Sequence, residues 1–130
     1  MPAGLPFMLA LCILLGLLHI LLAATLCTAG RGLKWTLGPR DGEPPPQPVT
    51  AGRAQRAAAN FLETFPFFAA ALVCAIATGH GGARAALGVQ LYFWGRVAYL
   101  PLYLLGVQLL RSLAWGVSLV GLLMVVAAII

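Results

Sequence analysis

Three polar side chains recur at helical spacing in an otherwise apolar stretch of the sequence. Arg56, Asn60 and Glu63 fall within about 60° of arc on one helix face, at about 100° per residue. A guanidinium binds carboxylates, a carboxylate accepts an ammonium group, and an amide both donates and accepts hydrogen bonds. This stripe therefore predicts a site for a charged ligand.

Two further apolar segments each carry a polar helix face. The polar residues are Tyr92, Arg96, Tyr99 and Tyr103 in the first segment and Arg111 and Ser112 in the second. Ionisable residues within membrane spans usually face the interior of a helix bundle and carry function.

The composition of the chain is that of an integral membrane protein. Of its 130 residues 62% are hydrophobic and 8% are charged, whereas soluble domains average about 45–50% and about 25%. Disorder is excluded as well, because disordered chains are poor in apolar residues. The net charge of +5 comes from scattered basic residues, which form no patch for nucleic acid. We therefore expect the lipid bilayer, and no nucleic acid, as a partner.

Four stretches are long enough to cross a bilayer, which takes about 20 mostly apolar residues. The predicted spans are about 5–27, 53–78, 85–105 and 109–130, with a polar loop over 30–52. The first span lacks a basic n-region and exceeds the usual apolar length of a signal peptide, so we expect it to stay in the mature protein. The sequence thus predicts one all-α domain over 1–130, a four-transmembrane-helix bundle.

Basic residues indicate the orientation of this bundle. Those in or beside the first and third loops are Arg31, Lys34, Arg40, Arg53 and Arg111, whereas the opposite side has only Arg84. By the positive-inside rule, the first and third loops face the cytoplasm and both termini lie outside.

The ionisable residues within the spans leave an unbalanced charge. Three arginines, Arg56, Arg96 and Arg111, carry three positive charges. The only carboxylate among these residues, that of Glu63, carries one negative charge, so the net charge is +2. A charge at mid-bilayer costs at least about 2.5–3.5 kcal/mol, so an anionic ligand or lipid is expected to complete the site. A ligand with one ammonium, two carboxylates and one thiolate matches these groups. A purely structural role stays open, in which Glu63 pairs with an arginine and the tyrosines form an interfacial belt.

The second span carries a family signature. The run from Arg53 to Phe67 resembles the signature of the MAPEG family, the membrane-associated proteins of eicosanoid and glutathione metabolism, at Arg56, Asn60, Glu63 and Pro66. The segment from Gly95 to Tyr103 is similar to the third-helix motif of the prostaglandin E synthase branch, and Arg111-Ser112 to the pair that opens its fourth helix. The run from Gly38 to Asp41 is similar to one in bacterial members, so a bacterial inner membrane is expected.

The resemblance implies a homotrimer that binds glutathione between subunits near the cytoplasmic face. The residues that it assigns to glutathione are Arg56, Asn60, Glu63, Arg96, Tyr99 and Tyr103, with Glu63 taking the ammonium. It places Arg111 and Ser112 at the sulfur as catalytic residues, and Arg31 or Lys34 of an adjacent subunit is a candidate to close the site. The implied activity is transfer of glutathione to lipophilic electrophiles, although a peroxidase or an isomerase would use the same thiolate. No metal is implied.

Two positions depart from the family pattern. Thr64 stands where some members have tyrosine, and the interval from Tyr103 to Arg111 is one residue shorter than in the prostaglandin branch. One residue rotates a helical position by about 100°, enough to turn Arg111 away from the sulfur unless the loop absorbs the change.

Two other functions compete with the glutathione transferase. One is a non-catalytic member of the family whose polar stripes serve assembly or lipid binding. The other is a small proton-coupled multidrug exporter. Exporters of that kind carry their glutamate in the first span, whereas Glu63 lies in the second, and Arg56 and Arg96 would repel cationic drugs.

Overall fold

Long apolar runs without internal turn residues produce long helices. The computed structural model of the chain describes residues 4–130, which form five helices and no strand. The helices are α1 (Leu5–Arg31), α2 (Leu33–Leu37), α3 (Val49–Ala77), α4 (Ala83–Leu105) and α5 (Gln108–Ile129).

Three of these helices are long and apolar enough to cross a membrane: α1, α3 and α5. The remaining predicted span, the third one over 85–105, corresponds to α4, which is 23 residues long. No stretch of 18 residues in α4 is as apolar as those in α1, α3 and α5, because Arg84, Gln90, Arg96 and three tyrosines are spread along it. The chain is therefore an all-helical membrane protein with three helices that qualify as spans by length and composition.

The polar loop predicted over 30–52 is partly helical. α1 continues to Arg31, the short α2 follows, and α3 begins at Val49, so only Gly32 and residues 38–48 lie outside helices. Gly32 ends α1 with a φ of 93°, a backbone conformation that glycine adopts without strain. Three consecutive prolines over 44–46 keep the following stretch extended, because proline has no N–H to donate within a helix.

Glycines allow α4 and α5 to pack closely along their length. A Cβ atom on Gly88 would lie 2.6 Å from the backbone oxygen of Gly121, and one on Gly95 would lie 2.8 Å from that of Ala114. Small residues at such contacts let two helix backbones approach, which is typical of packing between membrane helices. These three glycines form what is called the glycine seam below.

Aromatic rings join α3 to its neighbours. The rings of Phe68 and Tyr92 are stacked between α3 and α4 with their centroids 3.8 Å apart. On the α1 side, Phe61 lies 4.8 Å from the ring of His19, whose Nδ1 is 2.8 Å from the carbonyl oxygen of Leu15. α3 thus contacts α1, α4 and α5.

The outer surfaces of the long helices are apolar. Examples of large hydrophobic side chains exposed there are Phe7, Leu14, Phe67, Leu113 and Leu123. Apolar side chains of this size on so many helix faces are suited to contact with lipid chains rather than with water.

We expect Gly88→Ala to destabilise the protein by about 1–3 kcal/mol, because the added methyl group forces the two backbones of the glycine seam apart. Gly116→Ala is the matched control, since a Cβ atom there meets nothing within 4 Å. Thermal unfolding of both variants in detergent measures the difference. Equal unfolding temperatures for the two variants would contradict the close packing at Gly88.

Candidate functional site

A buried guanidinium connects α3 to α4. Arg96 is fully buried, its Nη1 donates to Oδ1 of Asn60 at 2.7 Å, and its Nη2 donates to Oγ1 of Thr64 at 2.6 Å. Three aromatic rings surround its Cζ at 5.2–5.8 Å, those of Phe61, Tyr92 and Tyr99. Neutral oxygens and ring faces therefore stabilise this positive charge.

A cavity of about 300 Å³ lies beside this network, where α4 meets α5. Its walls are formed by Asn60, Tyr99, Tyr103, Arg111, Ser112 and Trp115. The volume is at the lower end of the range for small-molecule sites, about 300–1,000 Å³. Because Oδ1 of Asn60 accepts from Arg96, the amide NH₂ group of Asn60 is left to donate to a ligand.

Two guanidinium groups flank one tyrosine at the edge of this cavity. Nε of Arg56 donates to the hydroxyl oxygen of Tyr103 at 3.2 Å, and Cζ of Arg111 lies 4.7 Å from the centroid of the same ring. The lining of the cavity contains no carboxylate among residues 4–130. The local charge is therefore positive, and the site favours an anionic group.

The connection between α4 and α5 places Arg111 at the cavity. Gly106 adopts a left-handed conformation with a φ of 76°, and Nη1 of Arg53 donates to the carbonyl oxygen of Leu104 at 3.0 Å. Two residues, Gly106 and Val107, thus separate the helices. Although the interval from Tyr103 is one residue short, Arg111 lies over the Tyr103 ring rather than pointing away from it.

Ser112 lies next to Arg111 on the cavity wall, and its side chain is exposed. Its Oγ donates to the carbonyl oxygen of Gln108, one turn earlier in α5, at 3.1 Å. A hydroxyl rotates freely, so Ser112 can exchange this intrahelical bond for one to a ligand.

The structure divides the polar stripe of α3. Asn60 turns towards α4, and Arg56 reaches Tyr103, whereas Glu63 is exposed and does not line the cavity. In the part of the chain that the structure describes, the hydrogen bonds of Arg56 and Arg96 go to neutral residues rather than to Glu63. A pairing of Glu63 with either arginine to hold the helices of one chain in register is therefore not seen.

Two residues of this region were not predicted to take part in the site. Thr64 bonds to Arg96, and its Oγ1 lies 3.2 Å from the hydroxyl oxygen of Tyr92. Trp115 lines the cavity. Helical spacing could have indicated both residues. Thr64 follows Asn60 by four residues, and Trp115 follows Arg111 by four. Residues four apart are neighbours on a helix surface.

The fold and the site define a helical membrane protein with a basic polar cavity among apolar helices. The chain matches the family model described as "MAPEG family" over residues 8–130, nearly its whole length. It belongs to the MAPEG family. No curated protein and no solved structure matches the chain.

We expect Thr64→Val to lower the free energy of unfolding by about 1–3 kcal/mol, because a buried, charged donor loses its acceptor. Thr25→Val is the control. Its hydroxyl is exposed and bonds only within its own helix, to Leu21 at 2.7 Å, so its effect should stay within about 0.5 kcal/mol. Unfolding in detergent measures both variants. A Thr64 variant as stable as the Thr25 variant would show that Arg96 does not depend on this bond.

Proposed function

We propose that this protein binds glutathione and conjugates it to lipophilic electrophiles that reach the site through the bilayer. The observation that carries the proposal is the cavity at which Arg111 and Ser112 stand side by side. It offers a guanidinium and a hydroxyl to a sulfur, and an amide and two tyrosines to the rest of a polar ligand. Membership of the MAPEG family supports glutathione as that ligand.

In the proposed reaction, Arg111 stabilises the thiolate form of glutathione, and the thiol proton passes to solvent. The hydroxyl of Ser112 turns from Gln108 to donate to the sulfur. The sulfur attacks an electrophilic carbon, a carbon–sulfur bond forms, and the leaving group departs with its electron pair. The same thiolate would serve a glutathione-dependent peroxidase, with a hydroperoxide oxygen in place of the carbon.

The remaining predicted residues divide into two roles. Arg56 and Glu63 are exposed and present a guanidinium and a carboxylate for the carboxylate and the ammonium of glutathione. Arg96 is fully buried, so in this proposal it positions Asn60 instead of touching the ligand. Tyr99 and Tyr103 form the wall.

A homotrimer with a fourth span completes the proposal. A lipid-facing charge within a membrane helix is unfavourable, and Glu63 is exposed on α3 of the single chain. A neighbouring subunit that covers this face, with glutathione between them, would remove the exposed carboxylate from lipid.

α4 is about 35 Å long at 1.5 Å per residue, enough to span the membrane beside α5. In this proposal the site faces the cytoplasm, in keeping with the positive-inside rule, and the membrane is a bacterial inner membrane.

A non-catalytic role in assembly or lipid binding is the second candidate. It is favoured by the contact of Arg111 with Tyr103, which joins α5 to α4 without any ligand.

The first test is Arg111→Ala. Titration of the detergent-solubilised protein with glutathione, followed by thiolate absorbance in the ultraviolet, reports activation, and calorimetry reports affinity. We expect turnover of an activated aryl halide to fall at least about 100-fold, because one charge-stabilising donor is lost, with a much smaller change in affinity. Arg84→Ala is the control, since Arg84 is an exposed residue at the start of α4. Equal losses of affinity and turnover, or no loss, would remove the catalytic role of Arg111.

The second test is Glu63→Gln. Affinity for glutathione should fall about tenfold or more, because the ammonium loses a charged acceptor. Glu43→Gln, in the exposed loop, should bind like the unaltered protein. Light scattering of the purified protein reports the oligomeric state alongside calorimetry. Unchanged affinity with loss of the oligomer would favour the assembly role.

A further inference from the structure

The outward side of α4 carries an amide side chain between two large apolar ones. Leu87, Gln90 and Trp94 are all exposed, and their spacing of three and four residues places them on one side of the helix. Tyr92 and Arg96, which α4 buries against its neighbours, lie on the opposite side. The three exposed residues, called the outer face of α4 below, do not line the cavity at α4 and α5.

Gln90 lies within the bilayer in the proposed four-span arrangement, on which this inference therefore rests. α4 is about 35 Å long, against a hydrocarbon core of about 30 Å. Trp94 is the middle residue of α4, with eleven residues on either side, and Gln90 lies one turn away. Tryptophans of an interfacial belt lie near the ends of a span. Contact with headgroups therefore does not explain this pair of side chains.

The amide of Gln90 is only partly satisfied within the chain. Nε1 of Trp94 donates to Oε1 of Gln90 at 3.1 Å, whereas the NH₂ group of Gln90 has no acceptor among residues 4–130. An amide oxygen has two lone pairs, so Oε1 is able to accept one more hydrogen bond. An unpaired N–H group in an apolar medium is unfavourable.

Other polar side chains on exposed helix faces form hydrogen bonds within their own helix. The hydroxyl groups of Thr25, Thr78 and Ser112 each donate to the carbonyl oxygen four residues earlier, at 2.7, 2.8 and 3.1 Å. Such a hydroxyl faces lipid with its donor paired. The NH₂ group of Gln90 lacks a bond of this kind, so its acceptor has to come from outside the chain.

We propose that the outer face of α4 binds a second copy of this chain through Gln90. Two copies inserted in the same orientation are related by a two-fold axis along the membrane normal, which brings the same residue of each copy to the same depth. Each NH₂ group then donates to the Oε1 atom of the other copy, and each Oε1 keeps its bond from Trp94. Glutamine side chains form such hydrogen bonds between membrane helices.

This contact lies on a different side of the molecule from the one that the proposed homotrimer covers. The homotrimer would cover Glu63 on α3, and α3 meets the inner side of α4, where Arg96 donates to Asn60. The outer face of α4 thus stays open in each subunit of a homotrimer. Pairing through Gln90 would join one homotrimer to another.

The test is disulfide cross-linking in native membranes. The three cysteines are replaced by alanine, and Leu87→Cys then places one thiol on the outer face of α4 while Gln90 stays in place. We expect a covalent dimer on oxidation. Adding Gln90→Leu should reduce its yield about tenfold at a high ratio of lipid to protein, because two interhelical hydrogen bonds are lost. Gln90→Asn, which keeps an amide, should retain part of the yield.

Leu14→Cys is the control, since Leu14 is 60% exposed on α1 and should give no dimer. Circular dichroism checks that each variant is folded. The absence of a dimer at Leu87→Cys, or an equal yield at Leu14→Cys, would overturn the proposal. A yield that Gln90→Leu leaves unchanged would overturn it as well, because the face would then meet a second copy without the amide.

Two further measurements separate this inference from the proposed function. Labelling of Trp94→Cys by a membrane-impermeant maleimide would show that the middle of α4 lies in water, which contradicts the four-span arrangement and the pairing together. Gln90→Leu should bind glutathione like the unaltered protein, because Gln90 does not line the cavity. Loss of that binding would overturn the pairing role of Gln90, whereas failure of the unaltered protein to bind glutathione contradicts only the proposed function.

Discussion

The buried charge of Arg96 constrains the rest of the interior. A guanidinium removed from water needs acceptors for its donors, and here they are an amide oxygen and a hydroxyl on α3, at Asn60 and Thr64. Because the cation belongs to α4, these bonds fix how far the two helices are shifted and rotated against each other. Tyr99 and Tyr103 follow Arg96 by three and seven residues, so the same contact sets where the wall of the cavity lies.

Periodicity predicted which residues share a helix face but not what each face meets. The polar side of α4 was visible in the sequence, and it does pack against α3. The stripe of α3 was visible as well, yet its arc of about 60° is wide enough to lie partly inside and partly outside a helix contact. Asn60 therefore turns inward while Glu63 remains exposed, a distinction that depends on the rotation of α3 and on no property of its own sequence.

Local features of the loop were beyond the same reasoning. A five-residue helix such as α2 is too short to show a periodic pattern, and the path of the loop after it depends on where Pro45 lies relative to Arg31. The glycine seam was also hidden, because a glycine in an apolar run does not indicate which neighbour approaches it. By contrast, the membrane class and the helical content followed directly from composition, since so few charges cannot cover a soluble surface.

The two-residue turn at Gly106 has a consequence for the biosynthesis of the protein. α4 carries a buried cation and has no 18-residue stretch as apolar as those in the other long helices, so its own transfer into lipid is weakly driven. α5 is strongly apolar, follows almost at once, and fits α4 along the glycine seam. In the four-span arrangement proposed above, the pair is thus suited to leave the translocation machinery together as a helical hairpin, with the second helix carrying the first into the membrane.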